Sequence, residues 1–164
     1  AVKWFCAEIL PFVRGGIPGF TFTVVGANPG PLERAVGGLP GVRIIGGVQD
    51  VRPYLREAAV VVVPLRSGAG TRLKVLEAMG NRVPMVSTAV GAEGIKYTDG
   101  VDILIADEPA VFARRTLELL KDPTRAHDIA ATAFDLVRNT YEWNIIGNKI
   151  AQYFEAPEIH TPAR

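Results

Sequence analysis

The sequence predicts an α/β domain, a Rossmann-like parallel sheet with helices on both faces, spanning residues 1–156 and followed by a tail at 157–164. Three observations predict it. Apolar, β-branched runs alternate with helical patterns along almost all of the 164 residues, the order that yields parallel strands joined by crossover helices. One run, Val60-Val61-Val62-Val63, is apolar without alternation, the mark of a strand buried on both faces. The composition, 48% hydrophobic and 21% charged, supplies enough apolar side chains for a core.

The elements follow in order. Residues 2–14 read as a helix, with Trp4, Phe5, Ile9, Phe12 and Val13 near helical spacing and Pro11 expected to bend it or end its regular part. Gly15 to Gly19 is a loop, and 20–25 (FTFTVV) is a strand broken by Gly26 to Pro31. A short helix covers 32–36, and VRIIG at 42–46 is the second strand. Asp50 is expected to cap a helix running through Ala58. The strand at 60–63 ends at Pro64, and a glycine-bearing loop at 67–70 leads into a helix at 71–80. Further strands are expected at 83–88 and, after the Asp99-Gly100 turn, at 102–106, with helices at 109–121, 123–139 and 142–155. A doubly wound domain begins with a strand and this chain begins with a helix, so one more strand is expected upstream of Ala1. In the last helix Trp143, Ile146, Ile150, Tyr153 and Phe154 form an apolar stripe. It is expected to fold onto its own domain or to pair with a second copy of the chain.

Composition excludes several functions. A net charge of +1 lacks the basic face of a nucleic-acid binder. The single cysteine, Cys6, lies beside Trp4 and Phe5 and reads as a core thiol, unable to form an internal disulfide. No run approaches the ~18 apolar residues of a membrane span, so a cytoplasmic location is expected. Neither His127 nor His160 has a partner at metal-ligand spacing, and no metal or cofactor is expected. There is no GxxxxGK[ST] and no GxGxxG after a strand, against an ATPase and an ordinary NAD domain.

The chemistry concentrates in residues 60–94 (VVVVPLRSGAGTRLKVLEAMGNRVPMVSTAVGAEG). Ligands of an open parallel sheet bind beyond the carboxyl ends of its strands, which is where the 60–63 strand delivers the chain. Gly68 and Gly70 permit close backbone approach, and the helix starting at Thr71 turns its free N–H groups and positive end to the same crevice, a seat for phosphate. Arg72 in the first turn opposes the helix dipole by about 0.3–1 kcal/mol, so it faces either a phosphate or a neighbouring carboxylate. Glu77 falls at the edge of the buried stripe of that helix, where a carboxylate needs partners. A ribose diol and a salt bridge to Lys74 fit equally well. Arg66 is a further candidate for the phosphates, and Glu93 a lesser one.

This block resembles the donor-binding signature of the retaining glycosyltransferases of family 4, usually Glu, seven residues, Glu, then Ala-Met. Glu77 in LEAMG matches the second glutamate, with VPMVST and VGAEG following. VVGANP (24–29), IIGGVQDVRPYLREA (44–58) and DGVDILIAD (99–107) resemble further blocks in the same order. The resemblance implies the C-terminal half of a GT-B fold binding a nucleoside-diphosphate sugar and transferring the sugar with retention. Glu77 would accept the ribose hydroxyls, and the backbone around Gly70, Thr71 and Arg72 would hold the distal phosphate. Gly47 and Val48 would line the base, and Gly26 would let the nucleotide pass near the sheet edge. Ala69 stands where the first glutamate belongs, which implies a looser grip on the donor sugar. The basic pair that the family uses on the diphosphate has no counterpart here, leaving Arg72 or Lys74 to act. The resemblance also implies an N-terminal acceptor domain outside this chain, without which the chain is inactive, and peripheral membrane association of the whole enzyme. Two rivals stay open on the residues: a GT-B-fold UDP-sugar epimerase and a flavodoxin-like or receiver-like binding module.

Overall fold

In the computed structural model, residues 1–155 are described apart from Ala69; the side chains of Lys149, Tyr153 and Glu155 are also outside the description. The tail at 157–164, with His160, and the effect of Ala69 therefore lie outside the described residues. The first helix does not stop at Pro11. It runs as α1 (Val2–Trp4), a π-helical stretch (Phe5–Ile9) and α2 (Leu10–Gly16). Proline has no N–H and its ring crowds the carbonyl four residues back. The wider π turn, in which the Leu10 N–H reaches the Phe5 carbonyl, absorbs that defect and lets the helix continue.

The remaining elements are β1 (Phe22–Gly26), α3 (Gly30–Val36), β2 (Val42–Gly46), α4 (Arg52–Glu57), β3 (Val61–Val63), α5 (Leu73–Gly80) and β4 (Met85–Ser87). A 3-10 turn (Val90–Ala92), β5 (Leu104–Ile105), α6 (Pro109–Lys121), α7 (Pro123–Thr140) and α8 (Trp143–Glu155) complete the chain. All strand pairs are parallel, as the alternation predicts. They form two sheets, β1-β2 and β3-β4-β5, with no ladder between them among the described residues.

One layer of helices nevertheless covers both sheets. Phe5, Ile9, Leu10 and Val13 share a core with Phe22 of β1, Val86 of β4, Leu104 of β5 and Phe112 of α6. The rings of Phe5 and Phe22 lie 4.4 Å apart, centroid to centroid. A second core on the other face of β3-β4-β5 gathers Val63, Val75, Met79, Met85, Ile103 and Ala133 under α5 and α7. Along β3 and β4 successive residues therefore serve opposite cores: Val62 and Val86 face the first, Val61, Val63 and Met85 the second. That is why the valine run carries no alternation. Cys6 is buried in the first core, and burial pushes its thiol pKa up, away from a reactive thiolate.

Two expected boundaries fail for local reasons. The helix expected from Thr71 starts at Leu73, because Gly70 has φ 99° and Arg72 sits at φ −82°, ψ 53°, outside the helical region. The strand expected at 102–106 shrinks to Leu104–Ile105, because the Asp102 carboxylate accepts the Thr98 N–H (3.0 Å to Oδ1) and bends residues 98–102 into a turn. Asp50 does receive the Arg52 N–H at 2.9 Å, although α4 begins only at Arg52. The stripe of α8 is only partly covered by its own domain. Of its members Ile146 is half-buried, whereas Trp143 (86%), Ile150 (52%) and Phe154 (86%) are exposed.

Asp102 is itself buried, and burial raises its pKa, with the hydrogen bond from Thr98 offsetting part of the effect. A carboxyl whose folded pKa is raised stabilises the fold while protonated and loses that contribution as pH rises through the folded value. Asp102→Asn keeps an acceptor for Thr98 and cannot ionise. Thermal melts should therefore show the variant gaining on the wild type as pH rises from about 3.9, the unfolded carboxyl value. A difference that stays constant with pH would contradict this account.

Candidate functional site

The loops after β3 and β4 leave the sheet on the same side, because the two strands are parallel, and it is beyond this end that ligands of such sheets bind. After Val63 the chain passes through Pro64 to Ser67, takes the glycine turn at 68–70, and enters α5 with no side chain capping its first turn. Gly68 and Gly70 have φ of 153° and 99°, so the glycines are required for the turn as well as for access. Gly70, Thr71 and Lys74 are all exposed at the positive end of α5, the place where an anion is favoured.

Arg72 takes the second of its two expected partners, a neighbouring carboxylate. Its side chain is only 6% exposed, so it is no solvated arginine, and it is paired with Glu93, Nη2 to Oε2 at 3.0 Å. Nε also donates to the Val90 carbonyl at 3.0 Å and Nη2 to the Gly68 carbonyl at 3.1 Å. Arg66 has its guanidinium 5.5 Å above the ring of Trp4, at the start of the first helix. Glu93 is thus brought to the site as the partner of Arg72, although its own side chain is 70% exposed.

Glu77 lies two-thirds of the way along α5. It is exposed, so the expected desolvation at the edge of the buried stripe does not arise: Val75, Ala78 and Met79 carry the buried face. The salt bridge to Lys74 is not formed, and among the described residues Glu77 has no ion-pair partner. Its charge is felt by Arg52, the first residue of α4, which is held charged first by its hydrogen bond to Asp50 and to a lesser extent by Glu77.

The other candidates lie at the end of β1 and in the loop after β2. Gly26 and Gly46 are paired at the carboxyl ends of β1 and β2, and Gly47 turns the chain with φ 68°. A Cβ on Gly46 would strike the ring of Pro29, so the loops after β1 and β2 touch where they leave the sheet. Val48 lines a hollow of about 530 Å³ together with Gln49, Asp50, Pro53 and Tyr54. Pattern reading also missed two polar braces. Thr88 Oγ1 accepts the Gly91 N–H at 2.9 Å and donates to the Leu65 carbonyl, while Asp107 accepts the Ala89 N–H at 2.9 Å. Both tie backbone groups distant in sequence, for which no residue pattern exists. Among the described residues no cluster of three His, Cys, Asp or Glu side chains gathers as a metal site, and no helix is long and apolar enough to cross a membrane.

Comparison with known proteins follows the same lines. The profile of the family "Glycosyl transferases group 1" matches residues 1–122. A curated relative, an uncharacterized 44.6 kDa protein in the cps region of Klebsiella pneumoniae, is 27% identical over 147 residues, which are 85% of this chain and 38% of that protein. Among solved structures, Anabaena HepE in complex with UDP superposes with a TM-score of 0.78 at 16% identity, over 94% of this chain and 46% of that one. The C-terminal domain of the group 1 glycosyl transferase LpcC from Francisella tularensis gives 0.69 at 22% identity, over 86% and 78%. Sucrose-phosphate synthase from Thermosynechococcus elongatus gives 0.74 at 23% identity, over 90% and 41%. At these identities the superpositions establish the Rossmann-like fold of GT-B C-terminal domains. The chain spans less than half the length of the Klebsiella relative and of HepE.

Proposed function

Because the chain belongs to the group 1 glycosyltransferases, we propose that it is the donor half of a retaining enzyme, holding a nucleoside-diphosphate sugar while a further domain presents the acceptor. The observation that carries this reading is the conjunction on α5 of a first turn with no side-chain cap, flanked by the exposed Gly70, Thr71 and Lys74, and an exposed Glu77 about one turn on that has no ion-pair partner among the described residues. A diphosphate placed against Gly70 and Thr71 meets the positive helix end and the Lys74 ammonium, and its ribose then comes to Glu77. The base lies toward Gly47 and Val48, with Gly26 leaving the path open.

The chemistry asked of this chain is electrostatic. As the bond from the anomeric carbon to the diphosphate breaks, negative charge grows on the departing phosphate, and the helix end and Lys74 stabilise it without reorganising. No metal or cofactor is proposed. The acceptor side is contributed by the other domain, so the chain alone binds donor and does not transfer sugar. Family membership separates this reading from a flavodoxin-like or receiver-like module.

UDP, the nucleotide bound to HepE, is the probe for the test. A ligand bound only by the folded state at a hundred times its Kd stabilises by about 2.7 kcal/mol. For a chain of this size that corresponds to a rise in Tm of about 5–11 °C. UDP, GDP and ADP should be compared, and a Tm that none of the three moves at millimolar concentration would overturn the proposal.

A further inference from the structure

We infer that Arg72 is a positioning residue, a strut that fixes the glycine loop of the donor site, and not a ligand of the phosphates. The inference rests on reading the crevice as a nucleoside-diphosphate seat. Its basis is where the three hydrogen bonds go. Nη2 holds the Gly68 carbonyl in the loop after β3, while Nε and Nη2 hold the Val90 carbonyl and the Glu93 carboxylate in the loop after β4. One planar group thus ties together the two loops that form the crevice wall.

The tie matters because of what it restrains. A loop turning through Gly68 and Gly70 has wide backbone freedom, and an anion seat made of backbone N–H groups works only if those groups are already aimed. With the side chain 6% exposed, swinging Arg72 out to a phosphate would break all three contacts and leave the carbonyls of Gly68 and Val90 without it. The exposed groups at the same helix end, Thr71 and Lys74, need no such rearrangement. Glu93 offsets the unfavourable placement of a cation at a helix N-terminus. Arginine is the residue suited to the task, because its rigid fork presents several donors in fixed directions, where lysine offers a point charge on a flexible stem.

Arg72→Lys separates the two roles, since it keeps the charge and loses the fork. In the nucleotide-free 164-residue chain, hydrogen exchange of the amides at 68–73 and 90–93 should quicken about tenfold in the variant. Calorimetric titration should show UDP affinity falling tenfold or more, with uridine affinity unchanged. Glu93→Ala, which removes one exposed contact and leaves the core alone, should quicken the same amides about threefold, and it decides the matter if Arg72→Lys does not fold. Unchanged exchange in the folded variants, or UDP affinity kept by the lysine, overturns the strut. If wild-type chain binds no UDP, the donor-seat reading fails, while the exchange measurements still decide whether Arg72 braces the loops.

Discussion

Gly91→Ala should lower the Tm by about 6–12 °C, the counterpart of about 3 kcal/mol in a domain of this length. A Cβ at this position would lie 2.6 Å from the Val63 carbonyl and 3.0 Å from Thr88 Oγ1, with Ser87 Oγ closer still. None of these can move aside cheaply. The Val63 carbonyl already accepts the Thr88 N–H at 3.2 Å, and Ser87 Oγ at 3.3 Å, so retreat breaks the join between β3 and the turn after β4. Overpacking against backbone therefore falls at the upper end of its usual cost of about 1–3 kcal/mol. Gly15→Ala is the matching control, because nothing lies within 4 Å of a Cβ there and the residue is in α2. That change should stabilise by about 0.5–1 kcal/mol, the helix preference of alanine over glycine. Equal melting of Gly91→Ala and wild type would show that the two loops do not approach as described.

The consequence extends past stability. Val90, whose carbonyl receives Arg72 Nε, is the residue before Gly91. The glycine lets the 3-10 turn sit close on the end of β3, and that seating puts the Val90 carbonyl within reach of the arginine. Packing at Gly91 and geometry at the crevice wall are thus one arrangement.

What was legible in the residues follows from which interactions leave a pattern. Helix α6 reads correctly to both ends, Pro109–Lys121, because Pro109 is favoured in a first turn and Asp122, whose carboxylate takes the Arg125 N–H, starts the next helix. The valine run at β3 reads correctly because burial on two faces leaves no alternation. The order of blocks identifies the family. The partners of Arg72 leave no pattern in the sequence. Two of its three partners are backbone carbonyls, which every residue possesses, and Val90 and Glu93 lie 18 and 21 positions away. Sequence spacing shows neither fact, so a phosphate and a neighbouring carboxylate both stay open for a cation at this position. Glu77 is picked out by its family position alone, because the expected burial does not arise: the side chain is exposed. The division into two sheets likewise leaves no mark in hydrophobic periodicity, since strands of either sheet need the same apolar faces.

Removing the Glu77 carboxylate should weaken UDP binding by about 1.5–3 kcal/mol, the range for hydrogen bonds to a charged group, or about 10- to 150-fold in Kd. The fold should not notice. Glu77 is exposed, has no ion-pair partner among the described residues and stands in the middle of α5, where alanine is the better helix former. An affinity loss with an unchanged Tm therefore isolates a ligand contact from a structural one. The ribose assignment is tested more sharply by pairing the variant with 2′-deoxy-UDP. If the carboxylate accepts from both ribose hydroxyls, the deoxy nucleotide has already lost one of the two bonds. Glu77→Ala should then cost it less than it costs UDP, and the difference between the two losses is the coupling between Glu77 and the 2′-hydroxyl. Glu77→Gln should fall between wild type and alanine, because the amide keeps one acceptor oxygen and loses the charge. Equal losses for UDP and 2′-deoxy-UDP would place Glu77 on another part of the nucleotide, and unchanged affinity in a folded Glu77→Ala would remove it from the site.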